Sequence, residues 1–258
     1  MSHSIEIVIL GSGTSQGVPV IACDCHVCTS NDSKDKRLRC SVMITYKGEN
    51  YVIDAGPDFR SQMLRENVKS LRAVMFTHEH KDHMSGLDDV RAFNYKESRD
   101  MEVYCSKRVE KALHREYHYV FSEERYPGIP MIHIETIEDD VFSLPGGLEV
   151  QPINVMHYQM PVKAFRIKDF TYITDAKTIE KEEIEKIKGT RILVVNALRV
   201  PEHISHFNLQ EALDLIQVIK PEIAYLTHIS HLFGTHEDIL KLLPENVYPA
   251  YDGLRIRI

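Results

Sequence analysis

The stretch "MFTHEHKDHMSGLDDV" (75–90) sets three histidines and an aspartate within six positions, directly after an apolar run. In an extended segment His78 and His80 point the same way, because side chains alternate with a period of two. Asp82 and His83 fall where a helix should begin and are turned elsewhere. One loop can therefore offer two ligands to each of two adjacent metal positions. Imidazole with carboxylate suits zinc, iron or manganese. Two metals need further ligands, and three downstream candidates each end a predicted strand. They are His157 after "LEVQPINVM", Asp175 after "FTYIT" and His228 after "EIAYLT". Strand C-termini gathered at one sheet edge are where α/β folds build sites. Asp175, with two oxygens, could bridge both ions.

A second cluster, "CDCHVC" (23–28), holds three of the five cysteines. Cys23, Cys25 and Cys28 are too close to pair with one another without strain, and three is an odd number. They read as soft ligands awaiting a fourth, with tetrahedral zinc the candidate ion. His26 is a local competitor for that place, and its position between Cys25 and Cys28 would strain so tight a loop.

The surrounding chain is ordinary for a globular protein, with 43% hydrophobic and 27% charged residues over 258 positions. That length can bury a sizeable core. A net charge of −7 gives no footprint for gripping a nucleic-acid backbone. The opening "MSHSIEIVIL" has no cationic leader region, and no stretch approaches the roughly 20 apolar residues of a membrane span. With few cysteines and thiolates suited to metal, a reducing cytoplasm is expected. Strand-like runs recur at 4–10, 40–46, 51–56, 72–78, 101–105, 148–155, 162–167, 170–176, 191–197 and 222–228. Helical periodicity appears at 57–67, 84–94, 107–120, 178–188, 207–219 and 235–243. The pattern predicts one domain over 1–258: two stacked sheets with helices outside, resembling a duplication of two strand-rich halves. The polar, aromatic segment 115–140 either covers part of a cleft or pads the surface. "LGSGTSQG" (10–17) lacks the Gly-Lys-Ser/Thr ending of a phosphate loop and reads as a tight glycine turn near the cleft.

With these motifs in place, the chain resembles the metallo-β-lactamase superfamily, and within it the PhnP-type phosphoribosyl cyclic phosphodiesterases. The likeness runs through "ILGSGTSQGVPV" (9–20), "CDCHVC", "YVIDAGPDFRSQ" (51–62), "FTHEHKDHMSGLDDVRAFN" (76–94), "YITDA" (172–176), "HISHFNLQEAL" (203–213) and "LTHISH" (226–231). It implies a four-layer αββα sandwich. His78, His80 and His157 would surround one metal, Asp82, His83 and His228 the other, and Asp175 would bridge. It also implies that His231 joins the three cysteines on a structural zinc that staples the N-terminal loop beside the active-site rim. Asp54 would orient ligands through hydrogen bonds, although a plain turn residue before Gly56 and Pro57 would look the same. His206 resembles the family's histidine near the substrate phosphate. With Asp82 it is counted as catalytic, as phosphate contact and proton donor, and His203 is a weaker candidate.

The expected reaction is hydrolysis of a small cyclic phosphodiester such as 5-phosphoribosyl 1,2-cyclic phosphate. Two divalent ions, manganese or zinc, would acidify a shared water, and the resulting hydroxide would attack in line. Among other readings, RNA 3′-end processing is discounted, since the chain shows no long basic Gly/Pro-rich arm. Thioester or other ester hydrolysis shares the ligands but not the three-cysteine loop. A flavodiiron-like role is disfavoured because Glu79 alternates away from the ligand face. A non-catalytic carrier resembling PqqB is the competing class, and all seven ligand positions being filled weighs against it. A homodimer is implied by resemblance alone.

Overall fold

A computed structural model describes residues 4–124 and 126–258. Residues 1–3 of the opening segment and Arg125 of the 115–140 segment lie outside the described residues.

Strands number in chain order. The first sheet runs β15 (Arg255–Arg257), β1 (Ile5–Gly11), β2 (Ser41–Tyr46), β3 (Glu49–Ile53), β4 (Ala73–Met75), β5 (Met101–Cys105) and β6 (Ile132–Thr136). The second runs β11 (Thr178–Ile179), β8 (Leu148–His157), β9 (Met160–Ile167), β10 (Phe170–Ile173), β12 (Ile192–Asn196), β13 (Ile223–Thr227) and β14 (Val247–Pro249), with β7 (Phe142–Leu144) paired to β8. Each sheet contains an antiparallel meander, β1–β2–β3 or β8–β9–β10. Each then continues through parallel strands, β3–β4–β5–β6 or β10–β12–β13–β14. The two strand-rich halves thus share one topology.

Alternation divides the core into layers. Ile5, Ile7 and Ile9 pack with Ile44, Ile53, Phe165, Phe170 and Tyr172 between the sheets. Val8 and Leu10, on the opposite face of β1, pack with Phe59, Val90 and Phe93 from the flanking helical segments. On the far side, Leu193 and Val195 of β12 meet Ala212, Leu215 and Ile219 of the helix Leu209–Ile219. The result is the expected helix–sheet–sheet–helix order. Burying each large aliphatic or Phe side chain contributes about 1.5–3 kcal/mol, which is why both faces of these strands read as nearly continuous apolar sequence.

Two local expectations change. The periodicity at 84–94 does not form one helix. A short helix ends at Met84, a 3₁₀ turn spans Leu87–Val90, and a second helix spans Arg91–Glu97. The break is at Gly86, whose N–H donates to Ala55 O, and a Cβ there would lie 2.0 Å from Gly56 O. The 115–140 segment, expected to cover part of a cleft or to pad the surface, is instead largely built into the first half of the fold. It completes the helix ending at Glu116, adds a turn at His118–Phe121, and supplies β6 as an edge strand. Tyr117 Oη donates to Met84 O, so the segment also braces the end of the helix Lys81–Met84.

Candidate metal centre

β4 ends two residues before Thr77, and the chain then runs through His78 and Glu79 to His80, which caps the helix Lys81–Met84. β8 ends on His157, β10 ends two residues before Asp175, and β13 ends one residue before His228. All seven predicted ligand positions therefore converge from one loop and three strand ends. The His78 ring centroid is 4.7 Å from that of His80 and 6.0 Å from that of His157, and His80 and His157 are 5.2 Å apart. On the other side, His83 Nε2 approaches Asp82 Oδ2 to 3.1 Å and Asp175 Oδ2 to 3.2 Å. His228 Nδ1 meets the same Asp175 oxygen at 3.1 Å.

Four of these imidazoles, those of His78, His83, His157 and His228, are aimed by a second polar contact. Asp54 Oδ2 meets His83 Nδ1 at 2.7 Å, and the same carboxylate accepts from the Thr77 backbone N–H at 2.9 Å and hydroxyl at 2.8 Å. Thr77 Oγ1 lies 2.9 Å from His78 Nδ1, Ser205 O lies 2.8 Å from His157 Nδ1, and Thr14 Oγ1 lies 3.0 Å from His228 Nε2. Such partners set the tautomer and direction of a metal-binding histidine. Asn196 pins the Asp175 loop, accepting from Ala176 N–H and donating to Ala176 O. Asp54, Asp175 and His228 all hold left-handed backbone, with φ of 65°, 58° and 58°. Non-glycine residues occupy that region at a cost, and functional sites are where such strain is found.

The donor set fits metal. Among the described residues His78 Nε2, His83 Nε2 and His206 Nδ1 are buried without a hydrogen-bond partner, and the rings of His83 and His206 sit beside carboxylates. Two groups of three have ligand atoms within 4.8 Å of one another: His78, His83 and Asp175, and His157, Asp175 and His206. The first crosses the expected division between two ions. The second brings in His206, expected at the phosphate, and does not include His80, Asp82 or His228. His206 Nδ1 lies 3.7 Å from Asp175 Oδ1, the oxygen opposite the one that faces His83 and His228.

The electrostatics of this cluster follow from burial and charge pairing. Burial opposes charge on His228, but Asp175 outweighs it and pushes the imidazole up to about 10. His83 moves the same way against burial, driven by Asp175, Asp82 and Asp54. Asp175 and Asp82 are both held low, since the neighbouring imidazoliums overcome the burial that would favour protonation. His206 is pushed down to about 2, by burial first and then by His228. A metal-binding histidine must give up its proton, so a cation bound at His83 and His228 would compete with these protons.

Cys23, Cys25 and Cys28 gather around one nitrogen, with their sulfurs 3.3, 3.5 and 3.5 Å from His231 Nδ1. These four groups could hold a metal ion. His26 instead faces solvent, 3.7 Å from Asp238. The Cys28 N–H and His231 pull the Cys25 thiol down to about 6, whereas burial lifts Cys28 to about 11. "LGSGTSQG" does form a turn beside the cleft, with Gly17 N–H donating to Thr14 O, and Thr14 N–H ties it to Ile229 O. Glu79 is turned from the ligand face and pairs with Arg108. His203 lies on the rim, its ring 5.1 Å from that of His206. Asp54 has the orienting role rather than that of a plain turn. Thr14, Ser205 and Asn196 were not anticipated, because each acts through contacts remote in sequence.

Among the described residues no helix is long and apolar enough to cross a membrane. Residues 49–229 match the model of the beta-lactamase superfamily domain. A crystal structure of a diphosphatase from the PhnP family is similar at 34% identity and a TM-score of 0.93, covering 99% of this chain and 97% of that one. An octanoyltransferase of Porphyromonas gingivalis is 41% identical over 97% of this chain and 51% of its own length, so the chain spans about half of that relative. Coenzyme PQQ synthesis protein B of Methylobacterium radiotolerans is 33% identical over 34% of each chain.

Proposed function

The chain belongs to the beta-lactamase superfamily, and within it to the PhnP family, and from that membership as a metal-dependent hydrolase we propose that it is a phosphodiesterase with two catalytic metal ions. Its substrate would be a small, cyclic phosphodiester such as 5-phosphoribosyl 1,2-cyclic phosphate. The observation that carries this is the position of Asp175, with Oδ2 facing His83 and His228 and Oδ1 facing His206. Asp175 also belongs to both close triads, with His78 and His83 and with His157 and His206, so one carboxylate reaches residues assigned to each ion.

In this reading His78, His80 and His157 would hold one ion, Asp82, His83 and His228 the other, and Asp175 would be shared between them. Bound divalent ions would supply Lewis acidity, making water a nucleophile near neutral pH and neutralising charge on the phosphoryl oxygens. The chain's own contribution is orientation: Asp54, Thr77, Ser205 and Thr14 keep the imidazoles aimed so that little reorganisation accompanies reaction. His206 holds its ring beside Asp175 and, neutral in the free protein, contacts the phosphoryl group. To act as general acid it would take up a proton from solvent as the anionic phosphate binds beside it, and would pass that proton to the leaving oxygen. Cys23, Cys25, Cys28 and His231 would bind a structural zinc, since four protein ligands leave no open position.

The competing reading is a carrier without dinuclear chemistry. The octanoyltransferase name describes a protein of which this chain spans about half. Metal analysis separates the classes, with two catalytic ions plus one zinc for the hydrolase and zinc alone for a carrier. The test is hydrolysis of bis(p-nitrophenyl) phosphate by protein supplied in turn with manganese and zinc, beside Asp175→Ala. Metal-dependent turnover lost in the variant supports the reading. No turnover with both catalytic ions bound would replace it with hydrolysis of a non-phosphate ester or a carrier role.

A further inference from the structure

We propose that Arg108 binds a second anionic group of the substrate, a terminal phosphate, and so sets which phosphodiesters are preferred. The inference rests on the phosphodiesterase reading and deepens it. A cavity of about 500 Å³ opens over His80 and His157, and its remaining wall includes the uncharged Tyr158, Met160 and Ile204. Arg108 is the one lysine or arginine that lines it.

The guanidinium is held where an anion could use it. Arg108 lies in the first turn of the helix Lys107–Glu116, which Ser106 caps by accepting from Val109 N–H. Its Nε donates to Glu79, whose backbone stands between His78 and His80. The cation's position is thus tied to the loop that carries two metal ligands. The Glu79 side chain is mostly buried, at 15% exposure, while that of Arg108 is 55% exposed at the cavity wall. With Nε engaged, Nη1 and Nη2 make no hydrogen bond among the described residues, and that planar fork suits the oxygens of a phosphate. Other nearby cations are committed elsewhere: Lys81 to Glu116, Lys163 to Asp139 and Asn154, and Lys177 to Glu211.

The measurement compares kcat/KM for 5-phosphoribosyl 1,2-cyclic phosphate and ribose 1,2-cyclic phosphate, which differ only in the terminal phosphate. Wild type, Arg108→Gln and Arg108→Lys are compared, with bis(p-nitrophenyl) phosphate run alongside. Wild type should prefer the phosphorylated substrate by about ten- to a hundredfold, the range for a charged hydrogen bond. Arg108→Gln should collapse that ratio, chiefly through KM, and Arg108→Lys should keep part of it. Equal losses on both cyclic substrates would mean that Arg108 only braces the histidine loop, and would overturn the proposal. So would an undiminished ratio in Arg108→Gln, or no preference in wild type. Wild-type turnover of bis(p-nitrophenyl) phosphate alongside any of these results leaves the parent reading standing. Failure of metal-loaded wild type on all three substrates overturns the parent reading and this proposal with it.

Discussion

Asp54 and Asp175 stand at matching places in the two halves of the molecule, each just beyond the third strand of an antiparallel meander. Both are buried and both hold left-handed backbone. Yet Asp54 has its oxygens taken by Thr77 N–H, the Thr77 hydroxyl and His83, and so orients His83 rather than offering an oxygen of its own. Asp175 receives the Thr174 hydroxyl on Oδ2 but presents both oxygens toward imidazoles, two on one side and His206 on the other. Equivalent backbone thus carries two different jobs. The difference is set by which donors reach each carboxylate before a metal or substrate does.

The largest expected effect tests Asp175. Asp175→Asn should lower turnover of bis(p-nitrophenyl) phosphate by at least about a hundredfold and reduce the bound catalytic metal measured by elemental analysis. Asp54→Asn should instead weaken metal affinity by about ten- to a hundredfold, with turnover recovered at high metal concentration. Equal, unrecoverable losses in both variants would erase the distinction between ligand and orienting carboxylate. Recovery in Asp54→Asn alone would sharpen it.

pH gives the next contrast. His83 and His228 are held protonated by Asp175, so bound metal must displace protons, and affinity should rise with pH. The sign for the metal-free protein is opposite. His228 has a folded value of about 10, raised from 6.5, so its stabilising contribution is complete below 6.5 and is lost as pH climbs through 10. Thermal melts of chelated protein should therefore fall across that window, while metal-loaded protein should not show this loss. Parallel pH profiles would argue against imidazolium protons occupying the metal positions.

How much of this was legible follows from range along the chain. The loop from His78 to His83 could be read because period-two alternation and a helix start act over a few residues. His157, Asp175 and His228 were visible as polar residues ending apolar strands. The strands β14 and β15 were missed because each has only three residues and is defined by pairing with β13 or β1. β6 was missed for a related reason. Its partly exposed Ile-His-Ile-Glu-Thr carries little burial signal, and parallel pairing with β5 makes it a strand. The helix break at Gly86 depends on Gly56, thirty positions earlier, pressing against it. The partition of ligands between ions came from resemblance, and the close triads cross it, because His78 and His83 have ring centroids 4.2 Å apart.

The smallest expected effect comes from the most remote partner. Thr14 touches His228 Nε2 across 214 positions, and only its hydroxyl makes that contact. Thr14→Val keeps the shape and leaves the backbone bond from Thr14 N–H to Ile229 O in place, so the turn should survive. A neutral hydrogen bond contributes about 0.5–1.5 kcal/mol, which sets the expected loss in metal affinity at roughly tenfold or less. Asp54, a charged acceptor on His83, should matter more than Thr14, a neutral partner on His228. Metal titrations of Thr14→Val and Asp54→Asn at one pH decide the order. If Thr14→Val costs as much as Asp54→Asn, alignment of the ring rather than charge on its partner governs how these histidines hold metal.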